Sequence, residues 1–285
     1  MKVFILGTGT PVPTPDLFGS SYVVRVGDEH IMFDCGPATT FKLAKVGLRP
    51  PEINHLFFTH HHYDHNADYP LFLLSRWDLS IAEPLLEVRG PTHTALITER
   101  LIGPNGAFVH DWTARVEHPA SQNTYRARGG TLPRKPPKVN VSDMSAGDGY
   151  NGKTWTIRTA RAEHVQPWLD SLAYRLDTDE GSVVVSGDTR PCDAVIDLAR
   201  GADTFVCMCM HYQSHIERIG TAEAVTGTLG AAKMAAAAGV RRLILVHVEA
   251  QFATSPFTER GVADISQIYE GEVIFARELM QIDLK

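Results

Sequence analysis

Apolar positions along this chain come in short runs of strand length, most of them closed by glycine, proline or a titratable residue. Residues 2–6 are the first such run. It ends at Gly7-Thr8-Gly9-Thr10-Pro11, and the prolines at 11, 13 and 15 make the next stretch a loop. Residues 21–26 and 30–34 alternate in polarity around Gly27-Asp28-Glu29, which predicts a hairpin. Pro37 suits the first turn of a helix that stops at Gly47. Residues 55–58 read as a buried strand, followed by helix to about Trp77, a strand at 85–88 and a helix from Gly90-Pro91 to about Ile102. Segment 103–138 holds no clear period and predicts a surface excursion with partly irregular structure. Order returns with strands at 139–141 and 154–162, a hairpin of 171–176 with 182–185, and a helix at 191–200. A strand at 204–210, a long Ala-rich helix at 221–238 closed by Gly239, a strand at 243–246, a helix at 258–269 and a strand at 272–275 complete the pattern. Hairpins and crossovers occur in both halves, and no linker divides residues 1–285. The pattern therefore predicts a single α/β domain, either two packed sheets or one layered unit with helices outside.

The strand at 55–58 runs into Thr59-His60-His61-His62-Tyr63-Asp64-His65. Side chains alternate along an extended segment, so His60 and His62 point one way and His61 the other. Asp64 and His65 face the same space if the chain turns helical at Asn66. Three further residues, His164, Asp188 and His247, each come just after a predicted strand, and strand ends are where layered α/β folds collect site residues. Each has a dull alternative: an exposed histidine, or an aspartate holding its own turn. All would have to hold at once to remove the site. Three neutral imidazoles leave zinc an open position, and two metals roughly 3.5–4 Å apart lower the pKa of a shared water toward 7. The expectation is Zn2+, two ions per chain.

Composition narrows the setting. The chain has 285 residues, 44% hydrophobic and 21% charged, as in ordinary globular proteins. No run is long enough to span a membrane, and the first residues lack a cleavage site, which predicts a cytoplasmic protein. The cysteines Cys35, Cys192, Cys207 and Cys209 form no C-x-x-C pair. A net charge of −6 argues against a dedicated nucleic-acid binder. Arg126, Arg128, Arg134, Lys135 and Lys138 would make a basic arm for an anionic ligand or, more simply, a solvated loop.

The motif His60-x-His62-x-Asp64-His65, the strand-end His164, Ser186-Gly187-Asp188 and the late His247 resemble the metallo-β-lactamase superfamily. Leu6-Gly7-Thr8-Gly9-Thr10-Pro11, Leu56-Phe57-Phe58-Thr59-His60, Gly90-Pro91 and Gly187-Asp188-Thr189 resemble its ribonuclease Z-like branch. The resemblance implies an αββα sandwich of two mixed β-sheets flanked by helices, with a dinuclear zinc site between the sheets. It also implies that His60, His62 and His164 hold one metal, that Asp64, His65 and His247 hold the other, and that Asp188 bridges them. Asp64 would further orient the attacking water, and Asp34 resembles the family's buried supporting aspartate.

Three departures set the chain apart from the members that process tRNA 3′ ends. Only a tight hairpin, 171–185, occupies the interval of their long arm. Ile219 stands where a helix-opening histidine is expected, and Cys207-Met208-Cys209-Met210-His211 replaces a strand ending in glutamate. The reading is therefore a zinc hydrolase acting on a small apolar or aromatic molecule, by ester, lactone or hydrolytic-dehalogenation chemistry. Trp77, Trp168 and Tyr212 would line its pocket, and His211 or His215 would protonate the leaving group. The alternative is a ribonuclease Z-like phosphodiesterase or tRNA 3′ endonuclease. The partners expected are a small-molecule substrate, no nucleic acid and no membrane, with a homodimer left open.

Overall fold

The computed structural model describes residues 1–284. Its strands are β1 (Lys2–Gly7), β2 (Ser21–Val26), β3 (Glu29–Phe33), β4 (His55–Phe57), β5 (Glu87–Gly90), β6 (Asn140–Asp143), β7 (Gly149–Asn151), β8 (Trp155–Arg161), β9 (Leu172–Thr178), β10 (Gly181–Val185), β11 (Thr204–Met208), β12 (Arg242–Val246), β13 (Glu272–Phe275) and β14 (Gln281–Asp283). They form two seven-stranded sheets, ordered β14-β1-β2-β3-β4-β5-β6 and β13-β12-β11-β10-β9-β8-β7. Both are mixed. Hairpin neighbours such as β2 and β3 run antiparallel, and strands joined by crossovers, such as β3, β4 and β5, run parallel.

The period-2 alternation places each strand between two apolar layers. Val3 and Ile5 point inward with Phe33, Phe57, Tyr174, Val185, Val206 and Ile244, and these fill the space between the sheets. Phe4 and Leu6 point outward onto Leu43, Phe72 and Leu73 of the helices covering the first sheet. Phe205, Leu243 and Leu245 do the same beneath Val195, Ala231 and Ala235 on the second. Helices outside and sheets within make the expected αββα sandwich.

Two predicted elements differ. The long helix is Thr228–Ala238 and does not begin at 221; a shorter helix, Gln213–Arg218, precedes it. Thr221-Ala222-Glu223-Ala224 shares the helical propensity of the residues beyond, but Gly227, with an extended backbone, stands as the N-cap and separates the two. Ile219 is thus the C-cap of the short helix and is exposed. Just before the long helix the Thr226 hydroxyl donates to Thr189 O at 2.6 Å.

The second difference is the excursion at 103–138. It contains helices Val109–Glu117 and Pro119–Ala127, neither with a buried residue, which is why no apolar stripe announced them. Arg115, Arg128 and Arg134 converge on Asp78 at 3.6, 3.1 and 2.8 Å. The Arg134 guanidinium lies over Trp77 and Tyr125, with 4.0 and 4.7 Å to the ring centroids. These three side chains are therefore held against the protein, with one carboxylate shared among three guanidinium groups. Arg126, Lys135 and Lys138 make no ion pair among the described residues. No described helix is long and apolar enough to cross a membrane.

Candidate metal centre

The site forms where parallel strands of both sheets end. Val185 pairs with Val206 and Met208 with Val246, so β10, β11 and β12 finish side by side and deliver Asp188, His211 and His247. β4 delivers His60 from the facing sheet, and β8 runs out at His164. Two bonds tie the sheets at this edge: Leu172 N–H donates to Thr59 O at 2.8 Å, and the Tyr174 hydroxyl to Phe58 O at 2.7 Å. The loop itself is packed from below. A Cβ at Gly19 or Gly36 would collide with the Asp64 carbonyl, so both positions need glycine.

Two groups of side chains result, His60, His62, His164 and Asp188 in one, and Asp64, His65 and His247 in the other. His61 points away, as alternation predicts, with Nε2 2.8 Å from Thr94 Oγ1. In the first group His62 Nδ1 lies 3.1 Å from His60 Nε2 and 3.2 Å from His164 Nε2. In the second His247 Nε2 is 3.2 Å from Asp64 Oδ2, and His65 Nε2 is 3.6 Å from it. Asp188 reaches both groups: Oδ2 is 3.2 Å from His247 Nε2, 3.8 Å from His164 Nε2 and 3.9 Å from His60 Nε2, and Oδ1 is 3.4 Å from His65 Nε2.

The donor set fits cations. Three imidazole nitrogens that close on one another can share a proton only pairwise, whereas one metal ion engages all three lone pairs. Asp64 Oδ1 and Asp188 Oδ1 are buried without a hydrogen-bond partner, a costly state that a bound cation removes. Outer contacts set the tautomers. His65 Nδ1 donates to Asp34 Oδ2 at 2.7 Å, and Asp34 also accepts from Thr59 N–H at 2.7 Å and Thr59 Oγ1 at 2.8 Å. His164 Nδ1 donates to Ala224 O at 2.7 Å. In both rings Nε2 is thereby the nitrogen that faces the group, the arrangement that carboxylate or carbonyl support gives metal-bound imidazoles. Asp34 and His247 hold left-handed backbones, φ 59° and 56°, and such strain collects at functional sites.

Electrostatics distinguishes the groups. Burial and the neighbouring imidazoles hold His60 well below its ordinary value and His62 below it. Burial opposes charge on His65 too, but Asp188 and Asp34 outweigh it and raise its pKa well above the ordinary one. For His247 burial is likewise outweighed by Asp188 and Asp64, and its pKa is raised. Burial would raise the carboxyl of Asp188, yet His247 and His65 hold it well below the usual range.

The other candidates separate from this cluster. His211 and His215 stack at 4.0 Å between ring centroids, and His211 stacks on Phe252 at 4.9 Å. Glu249 joins them in a third group, missed in the sequence, where only its position two residues beyond His247 hinted at it. Both Nδ1 atoms accept hydrogen bonds, from Tyr212 N–H at 2.7 Å and the Arg218 guanidinium at 3.0 Å. Their Nε2 atoms therefore carry protons, which suits hydrogen bonding better than a cation. Nor do the three aromatics of the expected apolar pocket converge. Trp77 lines an 810 Å³ cavity with Arg134, Tyr212 is buried with its hydroxyl on Phe257 O, and Trp168 stands 88% exposed.

The profile of the metallo-beta-lactamase superfamily matches residues 14–215. The chain belongs to that superfamily. Within it the chain belongs to the ribonuclease Z-like branch. It is 34% identical over 208 residues to a protein named Ribonuclease Z from Mycobacterium bovis, covering 72% of this chain and 69% of the relative. A Ribonuclease Z from Mycobacterium marinum is 30% identical over 256 residues, 87% of this chain and 86% of the relative. Among solved structures, human tRNase Z, short form, superposes with a TM-score of 0.69 at 19% identity over the full length of both chains. The metallo-beta-lactamase fold protein YhfI of Bacillus subtilis gives 0.75 at 18% identity, covering 99% of this chain and 98% of its own. At those identities the structures speak for the fold alone.

These relatives make this a metal-dependent hydrolase of the superfamily, its His and Asp clusters suited to divalent metal. They overturn the expectation of a small apolar or aromatic substrate and of no nucleic-acid partner: the similar proteins are ribonucleases. Three physical reasons lie behind the error. Net charge averages over the whole surface and says little about the field at one cleft. The aromatics thought to build an apolar pocket lie apart. The residue compared with the family's assisting histidine was also misplaced, because the helix opens at Thr228.

Proposed function

We propose that this chain is a ribonuclease Z-type phosphodiesterase that cleaves RNA at the 3′ end of tRNA precursors in the cytoplasm, as one hydrolase domain using two zinc ions. The observation that carries the reading is the seven-residue donor set in a chain 34% identical to a Ribonuclease Z. His60, His62 and His164 would hold one ion, Asp64, His65 and His247 the other, and Asp188 would serve both. When bound, such a pair supplies Lewis acidity at the phosphoryl group and makes water a nucleophile at neutral pH. The residues do the rest. Asp64 accepts a hydrogen bond from the attacking water and orients it. Asp34 and the Ala224 carbonyl hold His65 and His164 in the tautomer that presents Nε2. The departing ribose oxygen needs a proton. Burial, together with His215, pushes His211 down to about 4; His215, stacked on it and less buried, is the residue put forward to meet that oxygen through Nε2–H.

The test is a zinc-loaded preparation given a tRNA precursor with a 3′ extension. Cleavage at the acceptor end, abolished by a chelator and restored by zinc, is the expected result. An intact RNA after incubation with folded, metal-replete protein would overturn the reading.

A further inference from the structure

The loop that leaves His164 carries features the metal chemistry does not use. Trp168 lies four residues beyond that histidine, within about 14 Å along the chain, and is 88% exposed. Its loop is braced by hydrogen bonds. His164 N–H donates to Gln166 Oε1 at 2.9 Å, Gln166 Nε2 donates to Ala162 O at 2.8 Å, and Trp168 N–H closes a turn onto Val165 O at 3.1 Å. At the loop's far end the Thr92 hydroxyl donates to Asp170 Oδ2 at 3.1 Å. A braced loop thus holds an indole out into solvent beside the metal centre. That forgoes the burial an indole ordinarily finds.

Beneath the same loop is a polar recess of about 480 Å³, lined by Arg161, Glu163, His164, Gln166, Arg190 and Glu223. It shares His164 with the metal centre. Arg190 is engaged by both carboxylates, at 2.7 Å to Glu163 and 3.1 Å to Glu223. Arg161 is exposed and makes no ion pair among the described residues. An anion entering the recess is therefore drawn to Arg161 and turned away from the Glu223 side. A polar recess with one uncommitted guanidinium suits a phosphate, and an exposed indole on a braced backbone suits a nucleobase.

We propose that Trp168 and Arg161 form a nucleotide subsite flanking the metal centre, in which one unpaired base of the RNA stacks on the indole and the adjoining phosphate meets the guanidinium. This deepens the RNA reading above and rests on it. Stacking of this kind reads no sequence, so the subsite would capture a single-stranded end whatever its bases.

The experiment compares zinc-loaded wild type with Trp168→Ala, Trp168→Phe and Arg161→Ala on two substrates. One is a 3′-extended tRNA precursor. The other is bis(p-nitrophenyl) phosphate, a phosphodiester with no base to stack. Expected for Trp168→Ala is a rise of about tenfold in KM for RNA, with kcat on the small diester within about twofold of wild type. Trp168→Phe restores most of the RNA affinity, and Arg161→Ala raises the RNA KM with a weaker salt dependence. An unchanged RNA KM in Trp168→Ala overturns the proposal. Equal losses on both substrates overturn it as well, because they would mean damage to the metal centre. If wild type leaves RNA uncut yet hydrolyses the diester, the RNA reading is what fails. The subsite is then judged by titrating the same holoenzyme with a single-stranded oligoribonucleotide. Fluorescence quenching present in wild type and absent in Trp168→Phe supports it, and no quenching rejects it.

Discussion

The two halves of the candidate metal centre are built from the same chemistry and poised differently. Around His60, His62 and His164 the imidazoles crowd one another, and His60 and His62 are held below their ordinary pKa. Around Asp64, His65 and His247 the carboxylates of Asp34, Asp64 and Asp188 press the two imidazoles to keep their protons. The first half therefore offers lone pairs to a metal at pH 7, and the second must give up protons to do so. The carboxylates create the difference: Asp188 and Asp34 act on His65, and Asp188 and Asp64 act on His247, against the burial that would otherwise lower both. The order of loading expected from this, for a site that takes two ions, is first half before second.

The most damaging way to break the comparison is Asp188→Ala, since this carboxylate faces both halves. Outer-shell losses alone cost about 10–100-fold, so removing the shared ligand should cut RNA cleavage by more than about 10²-fold and lower the metal content of both halves. Elemental analysis with two ions retained would contradict it. Asp64→Ala strikes only the second half. Activity should again fall by more than about 10²-fold while roughly one zinc per chain stays bound and the fold persists. Wild-type turnover by a folded, metal-replete variant would refute the role given to Asp64. His215→Ala leaves both halves intact and should slow RNA cleavage by about 10²-fold or more, yet spare bis(p-nitrophenyl) phosphate, whose leaving group needs no proton.

A pH titration sharpens the comparison without mutation. His65 and His247 have raised pKa values in the metal-free protein, so below those values they are protonated and a metal must displace the protons. Affinity of the second half should therefore climb with pH, by about tenfold per unit for each proton displaced, and level off above the raised values. His60 and His62 are already neutral at pH 7, so the first half should respond little between pH 7 and 8. Competition titrations on wild type and Asp64→Ala separate the two slopes, and equal slopes would dissolve the distinction. The smallest effect is expected from neutralising Arg126, Lys135 and Lys138 together: a modest rise in RNA KM and a shallower salt dependence, with kcat unchanged.

How far each feature was legible depends on the range of the interactions that create it. Alternation in β1 and β4 and the turn residues that close them are local, and both strands stand where the pattern predicts them. The ligand motif at 60–65 is equally plain, because an extended run that turns into a helix sorts its own side chains. The helices Val109–Glu117 and Pro119–Ala127 are not, since they bury nothing and so leave no stripe. The start of the long helix was missed for a different reason: Ala222-Glu223-Ala224 favours helix, and the break falls at Val225-Thr226-Gly227, where β-branched residues and a glycine with extended backbone interrupt it.

By itself the amino-acid sequence determined a single α/β pattern of hairpins and crossovers and, through its motifs, the superfamily and the sandwich that goes with it; it also singled out His60, His62, Asp64, His65, His164, Asp188 and His247 as candidate ligands. Strand period, turn chemistry and the motif at 60–65 are each written within a few residues of one another. The resemblance implied two groups, but only the tertiary structure decided how they differ, because the basicity of His65 and His247 depends on which buried carboxylates face each ring across the sheets. It alone turned Arg115, Arg128 and Arg134 onto Asp78, scattered the supposed aromatic pocket, and left Trp168 and Arg161 open to solvent beside the site. Those outcomes depend on distances between segments far apart in the chain, such as His62 and His164, which lie 102 residues from each other, and no local pattern encodes them.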